Sequence, residues 1–482
     1  MKVALILTSV LFLLSGCGPK RQARLSAKHV GGQAGSLVNF AHLEHLTEEI
    51  DFDGERVAIV HVYAKYPTYE WVDAKESGPE GIACVDDAGR AAVVYLRHYE
   101  LTGDTMSLAT ARRLLRFVMR MQTEDGQFYN FIHADRTINI DGKTSYRSFG
   151  WWAARGVWCF GLGYRIYQKV DPAFAAELEL RIQRTFPHID SLLVRYGETL
   201  RYGSYRSPRW LLYEEAADAT TELMLGLVEY YDAARNERVR DYIKKLADGL
   251  MLMQDGDVRR FPYGLHRSWR TVWHMWANSQ TQVLAHAGKV LNDHAMIESA
   301  EREVVGFYSR LLINGFFKEV DVSEPEKKQH FEQIAYGVRP MVVGLIRLFE
   351  ATEKNEYLVL GGLAASWFFG NNILQQPMYD PKTGRCFDGI KDSSSVNRDS
   401  GAESTIEALH STVEVEHHPG ALKFINYKKV ETGVSAQGPF AVFQEDNGSE
   451  VILLLDLGQA KIVLLEGKES QEFRKKLAGP PD

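Results

Sequence analysis

The stretch that decides the fold is AGRAAVVYLRHYELTGDTMSLATARRLLRFVMRM, residues 88–121. Its apolar residues recur at three- and four-residue spacing, the period of an amphipathic helix, and Thr102-Gly103-Asp104 interrupts that period. The stretch therefore predicts two helices joined by a short turn. The layout recurs, with breaks at residues 170–172, 234–236, 291–293 and 352–355, in the segments 149–193, 217–253, 273–312 and 336–369.

Helical pairs of about 40 residues build either a superhelical solenoid or a closed ring. Three observations favour the ring. The copies open with different polar and aromatic residues, the first helix of each pair is apolar nearly all round, and the loops before these helices are long, aromatic and charged. Five pairs and a last helix from Ala402 to Leu409 approach the six hairpins of an α/α toroid. Leu37 to Ile50 is the candidate for the missing helix, so the predicted fold class is all-α.

Short strands are expected at both ends of this ring. Val57 to Ala64 alternates and is rich in β-branched residues, which predicts a strand in a small N-terminal cap. After His410 the pattern changes to strands, expected at residues 413–415, 440–444, 450–455 and 461–465. The predicted organisation is a signal peptide (1–16), a tether (17–35), an N-terminal cap (36–80), the toroid (81–412), and a C-terminal β-appendage with a tail (413–482).

The beginning of the chain predicts export. Lys2 precedes an apolar run from Val3 to Leu14, which is shorter than the roughly 20 residues of a membrane-spanning helix. The segment Leu14-Ser15-Gly16-Cys17 resembles the lipobox of bacterial lipoproteins. The resemblance implies acylation of the Cys17 thiol, cleavage before it, and a membrane-anchored protein in the cell envelope that faces the periplasm or the exterior. The alternative is an ordinary signal peptide with a chance cysteine.

The composition of the chain and the motifs it lacks limit the functions that it can perform. The net charge is −7 with both signs interspersed, so no nucleic-acid partner is expected. Cys84, Cys159 and Cys386 lack the spacing of a disulfide scaffold or a zinc site. The chain contains no metal-site, serine-hydrolase, phosphate-loop or dinucleotide motif, so we expect neither a metal nor a cofactor. The loops before the inner helices offer carboxylates, one histidine (His274), arginines and aromatic residues. They suit glycan hydrolysis by two carboxylates, or proton transfer by Tyr or His in a lyase or epimerase.

Carboxylates are concentrated where the inner helices of a toroid would begin. The residues there line one mouth, and the helix dipoles favour negative charge. One aspartate of the pair Asp86 and Asp87 is enough to cap its helix, so the other is left free. Glu214 and Asp218 lie one helical turn apart, which predicts that they face the same way. The alternative to a role in the site is that they form a solvated first turn of the helix. With Glu403 opening the last helix, the predicted catalytic residues are Asp87 and Glu403, with Asp86, Glu214 and Asp218 as substitutes.

The same loops carry aromatic and polar residues of the kind that bind sugars. Trp269, Trp273 and Trp276 are spaced to form one helical stripe, a pattern that also serves core packing. His274 and Asn278 would form a polar stripe beside it. The predicted substrate contacts are Trp151, Arg155, Trp273, His274, Trp276, Asn278, Tyr336, Arg339 and Asp388.

Several motifs, in order along the chain, carry a family resemblance. They are residues 85–91, 124–131, 379–381 with 386–389, and 397–399 with 401–405. In these motifs the chain resembles toroid regions of the six-hairpin glycosidase-like superfamily that occur alone or fused to bacterial glycosyltransferases. The resemblance covers roughly Val57 to His410 and implies an α/α toroid. It does not imply one activity, because that superfamily contains hydrolases, lyases and epimerases. No glycosyltransferase domain is present, which argues against sugar-nucleotide chemistry.

The leading hypothesis is a lipid-anchored glycoside hydrolase that acts on a poly- or oligosaccharide by paired-carboxylate acid/base catalysis. The second is a polysaccharide lyase or sugar epimerase of the same fold, using His274 or Tyr336 together with an arginine. The third is a non-catalytic glycan-binding lipoprotein of the envelope. All three predict a carbohydrate partner and attachment to a membrane through Cys17.

Overall fold

The computed structural model describes residues 36–75 and 80–478. The expected signal peptide, tether and acylated Cys17 lie outside the described residues, so those statements remain predictions. Within the described ranges, none of the helices combines the length and the apolar character that crossing a bilayer requires.

Helices dominate the described chain. In order they are α1 (Ala41–Leu46), α2 (Val85–Thr102), α3 (Thr105–Met121), α4 (Trp151–Val170), α5 (Pro172–Gln183), α6 (Phe186–Leu193), α7 (Ala217–Ala234), α8 (Glu237–Leu252), α9 (Gln280–Leu291), α10 (His294–Glu303), α11 (Ser309–Asn314), α12 (Ala335–Thr352), α13 (Asn355–Ala365), α14 (Ala402–His417), α15 (Pro419–Leu422) and α16 (Gly467–Ala478).

Six of these helices form a closed inner ring: α2, α4, α7, α9, α12 and α14. Each contacts the next, and α14 returns to contact α2. The helices α3, α5, α8, α10 and α13 each pack outside the inner helix that precedes them, while the short α1 packs on α14. The predicted α/α toroid is thus confirmed. Of the segment Leu37 to Ile50, predicted to supply the missing helix, Ala41–Leu46 is helical, whereas residues 47–50 lie in a strand.

The breaks between inner and outer helices fall where the sequence predicts them. Gly103 (φ 73°) and Asn292 (φ 53°) end their helices in the left-handed conformation that glycine and asparagine adopt most readily. Asp104 then caps α3 by accepting hydrogen bonds from the backbone amides of Met106 and Ser107. These two hairpin turns are therefore determined by residues within the turns themselves.

The helices α4 and α7 come unusually close together. A Cβ atom placed on Gly161 would lie 2.0 Å from the carbonyl oxygen of Gly226, and one placed on Gly226 would lie 2.2 Å from that of Val157. Only glycine therefore fits at these two positions, where the backbones of neighbouring inner helices meet.

Short strands surround the ring. They are β1 (Thr47–Phe52), β2 (Glu55–Val60), β3 (Tyr63–Lys65), β4 (Glu70–Val72), β5 (Ala83–Cys84), β6 (Phe131–Ile132), β7 (Thr199–Tyr202), β8 (Tyr205–Pro208), β9 (Val272–His274), β10 (Glu319–Asp321), β11 (Gln333–Ile334), β12 (Tyr379–Asp380), β13 (Arg385–Cys386), β14 (Gly389–Ile390), β15 (Val396–Asn397), β16 (Lys428–Val434), β17 (Pro439–Gln444), β18 (Glu450–Asp456) and β19 (Lys461–Glu466). The cap strand expected within Val57 to Ala64 is present as β2, which pairs antiparallel with β1.

The C-terminal part matches its prediction except at the beginning. The strands β16 to β19 form one antiparallel sheet in sequence order, and α16 packs on it. The prediction of a strand at residues 413–415 is wrong, because α14 continues to His417. Val413 and Val415 are β-branched, but both are buried in the core, and that packing outweighs their weak preference against helix.

Ion pairs join the inner helices at the end opposite their first turns. Glu414 accepts hydrogen bonds from Arg97 (2.6 Å) and Arg347 (3.1 Å), and Arg165 pairs with Glu229 (2.5 Å) and Glu100 (2.6 Å). Charges of α2, α4, α7, α12 and α14 are therefore paired there.

Candidate active site

The first turns of the inner helices meet at the other end of the ring, in a mouth organised around Arg90. The Arg90 Nη2 atom lies 2.7 Å from the Oδ1 of Asp87, and Nη1 lies 3.0 Å from the Oε1 of Glu407. Both Nη atoms lie 3.2 Å from the Oε2 of Glu403. One guanidinium thus holds carboxylates from both ends of the toroid sequence.

Glu403 is the most accessible of these carboxylates, with 44% of its side chain exposed. It lies deep in the concave mouth, and the removal of bulk water raises its pKa, although Arg90 acts in the opposite direction. The neighbouring carboxylates Asp87 and Glu407 raise the pKa further. A carboxyl group that is reachable and has a raised pKa is suited to act as an acid.

Asp87 lies beneath the surface of the mouth. Only 4% of its side chain is exposed, and its Oδ2 accepts a hydrogen bond from the Cys84 thiol at 3.3 Å. Burial raises the pKa of Asp87, and Arg90 opposes that shift. Because Arg90 Nη2 touches both Asp87 and Glu403, at 2.7 and 3.2 Å, those two oxygens are no farther apart than the sum of these distances. That leaves no room for the water that inverting glycosidases place across roughly 6.5–9.5 Å.

Asp86 is the second carboxylate that reaches the mouth, with 23% of its side chain exposed. Its Oδ2 accepts a hydrogen bond from Asn130 Nδ2 at 3.1 Å, and its Oδ1 lies 3.4 Å from Arg155 Nη1. These two contacts orient the carboxylate while leaving it accessible. The pair exposed to a ligand is therefore Asp86 and Glu403, not Asp87 and Glu403.

Tyr336 is buried between charged groups. Its hydroxyl accepts a hydrogen bond from Arg155 at 2.6 Å and donates one to Glu222 at 3.0 Å. Burial raises the pKa of Tyr336 far above its usual range, so the phenol stays protonated at neutral pH. Arg339 is fully buried next to it and donates to Glu407 (2.5 Å) and Gln282 (2.8 Å). The structure thus places Tyr336 and Arg339 beneath the mouth.

An aromatic wall forms another side of the mouth. The rings of His274 and Trp276 are stacked with centroids 3.7 Å apart, and Trp276 lies 5.7 Å from Trp151. Trp151 and Trp276 are half-buried, so part of each indole remains available to the flat face of a sugar.

Both ring nitrogens of His274 are engaged. Its Nε2 lies 2.8 Å from the carboxylate of Asp218, and its Nδ1 lies 2.8 Å from the carbonyl oxygen of Trp276. Both ring nitrogens therefore lie against hydrogen-bond acceptors. These contacts fix the orientation of the imidazole, which in turn holds Trp276 in place.

The helix predicted to begin at Trp273 begins instead at Gln280. Residues 272–274 form β9, which pairs with β10, so the tryptophans do not make one helical stripe and His274 and Asn278 do not lie one helical turn apart. Trp273 is fully buried against Phe307 and Phe317. Asn278 is also buried and donates to the carbonyl of Gly337 at 3.2 Å. Trp273 and Asn278 therefore belong to the core.

Glu214 and Asp218 do not face the same way, because α7 begins after Glu214, at Ala217. Glu214 has φ 71° and pairs on the surface with Arg195 (2.7 Å) and Arg209 (3.1 Å). Asp218 is buried against His274, so only Asp218 belongs to the mouth.

Asp388 supports α14. Its Oδ1 accepts hydrogen bonds from the amide of Gly401 (2.8 Å) and the hydroxyl of Ser404 (2.7 Å). Asp388 thus fixes the start of the helix that carries Glu403, while its contact with a sugar remains a prediction.

Sequence reasoning missed the second layer of charges, formed by Arg90, Glu222 and Glu407. Each lies four residues, one helical turn, after a residue of the mouth. Arg90 follows Asp86, Glu222 follows Asp218 and Glu407 follows Glu403. A charge one turn inside an otherwise apolar inner helix is the signal that would have found them. In the described part of the chain, no three His, Cys, Asp or Glu side chains are placed to hold a metal ion.

No protein-family model matches the chain, and no curated protein matches it in sequence. Solved structures share its fold. A sugar epimerase from a ruminal bacterium is 14% identical with a TM-score of 0.54, over 78% of this chain and 95% of its own. The cellobiose 2-epimerase of Bacillus thermoamylovorans is 11% identical with a TM-score of 0.54, over 78% and 96%. A D-mannose isomerase is 11% identical with a TM-score of 0.50, over 74% and 91%.

At these identities the likeness concerns the fold alone. The chain has the α/α toroid fold, which these carbohydrate-processing enzymes share with it and which the sequence resemblance implied.

Proposed function

We propose that this protein is a carbohydrate-active enzyme, namely a glycoside hydrolase, in which Glu403 is the general acid and Asp86 is the second carboxylate. The observation that carries the proposal is the difference between two exposed carboxylates in one mouth. Burial among other carboxylates raises the pKa of Glu403, whereas Asn130 and Arg155 orient Asp86 by contacts to its two oxygens. Two carboxyl groups in different environments are the arrangement that acid-assisted glycoside cleavage needs.

In this mechanism Glu403 gives its proton to the glycosidic oxygen as the bond from that oxygen to the anomeric carbon breaks. Asp86 takes a proton from the attacking water, or forms the covalent intermediate itself. Arg90 positions the Glu403 carboxylate and stabilises it once the proton has left. Trp151 and Trp276 stack on the sugar rings.

The lipobox-like residues 14–17 support a second part of the proposal, which concerns where in the cell the protein is located. If Cys17 is acylated as its lipobox predicts, the enzyme meets its glycan at the surface of a membrane. Cys17→Ala is expected to abolish the incorporation of a labelled fatty acid into the protein in the producing cells, and absence of that label from the wild type would contradict the anchor.

The activity is tested by the release of reducing ends from a panel of oligosaccharides and polysaccharides. We expect Glu403→Gln and Asp86→Asn each to lower kcat by about 10²–10⁴-fold, the usual contribution of acid–base catalysis. Glu214→Gln is the matched control, because Glu214 occupies a comparable place before an inner helix but pairs on the surface. Full activity in both mouth variants would show that the assignment is wrong.

Further measurements on the products of the same substrates separate the alternative activities. Hydrolysis incorporates oxygen from ¹⁸O-labelled water, whereas a lyase yields an unsaturated product that absorbs in the near ultraviolet without water uptake. An epimerase changes the configuration of the sugar without releasing reducing ends. Sugar binding without turnover would support the non-catalytic hypothesis.

A further inference from the structure

A second cavity, of about 610 Å³, lies where the C-terminal sheet meets the toroid. Its walls come from the end of α11 and the loop after it, from residues 367–375, and from the beginning of β16. Its volume falls within the roughly 300–1,000 Å³ typical of sites for small ligands. None of its described lining residues belongs to the mouth of the toroid.

The lining combines aromatic and amide side chains. Phe261 and Tyr263 offer partly exposed ring surfaces, and the exposed amides of Asn314 and Gln375 line the same cavity. Trp367 is fully buried, and its Nε1–H has no hydrogen-bond acceptor among the described residues. Ring faces and amides together are suited to a sugar, which has apolar C–H faces and an edge of hydroxyls.

The charges of the cavity all have one sign. Arg310, Lys328, Lys428 and Lys429 line it, and none of its described lining residues is Asp or Glu. This is unusual for a chain with 63 acidic and 56 basic residues. Such a one-sided arrangement concentrates positive potential in a concave space, which favours an anion.

Among the residues that the structure describes, carboxylates do not neutralise the inner cations of the cavity. The Nζ of Lys429 donates to the carbonyl oxygens of Leu312 (3.3 Å) and Ile313 (2.9 Å). Arg310 likewise donates to backbone carbonyls. Burial lowers the pKa of Lys429 to about 8, and no charged neighbour offsets that shift. A bound anion would supply the missing negative charge.

We propose that this cavity binds an anionic saccharide, a sugar chain that carries carboxylate or sulfate groups. The aromatic rings contact its C–H faces, the amides its hydroxyls, and the cations its charged groups. A neutral sugar or a hydrocarbon chain would leave the positive charge of the cavity without a counter-charge. Because the cavity is separate from the mouth, the proposal does not depend on the mechanism proposed for Glu403.

The test is calorimetric titration of the whole protein with two anionic probes, tetragalacturonate and a heparin-derived tetrasaccharide. Fully methyl-esterified tetragalacturonate is the neutral control with the same rings. We expect at least one anionic probe to bind, and the ester to bind at least about tenfold more weakly than tetragalacturonate if the ligand charge is a carboxylate. Binding of the sulfated probe alone identifies a sulfated class of ligand.

The test variant combines Lys328→Glu with Lys428→Glu. Lys461→Glu, on another strand of the appendage, is the control. All three lysines are exposed, so folding is expected to be retained, which thermal unfolding checks. The double variant should weaken binding at least about tenfold, whereas Lys461→Glu and the mouth variant Trp276→Ala should not change it. The proposal is overturned if neither anionic probe binds, if the double variant binds as well as the wild type, or if adenosine monophosphate binds and the saccharides do not.

Discussion

Replacing Arg90 with methionine tests the charge network beneath the mouth. The change keeps an apolar chain of similar length but removes the guanidinium that contacts Asp87, Glu403 and Glu407. Asp87 and Glu407 are then left buried without their shared cation.

Removing one partner of a buried ion pair costs about 3–5 kcal/mol of unfolding free energy. Glu407 keeps its bond to Arg339, and Glu403 is 44% exposed, so Asp87 is the main uncompensated charge. We therefore expect Arg90→Met to lower the free energy of unfolding by about 3 kcal/mol at pH 7, the lower end of that range.

The loss should depend on pH in a definite direction. Without Arg90, burial raises the pKa of Asp87 further above its unfolded value of 3.8. The unfolded carboxyl then releases its proton more readily than the folded one, so the penalty is complete at high pH and shrinks as the pH falls through the folded pKa. The destabilisation should accordingly be larger at pH 7 than at pH 5.

Urea unfolding followed by tryptophan fluorescence measures both effects. Arg240→Met is the control, because Arg240 pairs with Glu237 at 3.1 Å on the surface, where such pairs contribute about 0–1 kcal/mol. A loss below about 1 kcal/mol for Arg90→Met, or a larger loss at pH 5 than at pH 7, would refute this account of the network.

The remaining predictions concern binding, packing and acid stability. Trp276→Ala should raise KM about two- to tenfold and change kcat little, because it removes ring stacking, and steady-state kinetics with an unchanged KM would contradict this. Gly161→Ala should lower the free energy of unfolding by about 1–3 kcal/mol, since its Cβ would lie 2.0 Å from the Gly226 carbonyl, and an unchanged melting temperature would contradict the close approach. The arginines around Glu100 overcome the effect of burial and lower its pKa to about 2, so its contribution to stability is present above the unfolded value of 4.5 and is lost as the pH falls toward 2. Glu100→Gln should therefore flatten the acid side of a plot of unfolding midpoint against pH. An unchanged plot would argue against a stabilising ion pair between Glu100 and its neighbouring arginines.

The helical hairpins could be predicted because their boundaries are local. Gly103, Asp104 and Asn292 end or begin helices through their own backbone conformations and hydrogen bonds, so a short window of sequence contains the cause. The beginning of α9 could not be predicted in this way. Trp273 has helical spacing to its neighbours, but Val320 pairs with it in the β9–β10 sheet, and that partner lies far away in the sequence.

The positions of Asp86 and Glu403 at the mouth could also be predicted, because the start of an inner helix can be identified from the sequence pattern. The distinction between Asp86 and its neighbour Asp87 could not. It depends on which side chain turns toward Asn130 and Arg155 and which turns toward Arg90 and Cys84.

The sequence by itself therefore determined the ring of hairpins, the end of the ring that carries the carboxylates, and the aromatic character of the mouth. Only the tertiary structure decided which of those carboxylates a ligand can reach. The physical reason is that burial and pKa depend on partners from distant parts of the chain. Arg90 and Glu407 are 317 residues apart in the sequence, yet their contact holds Glu403 in the mouth and leaves Asp87 beneath it.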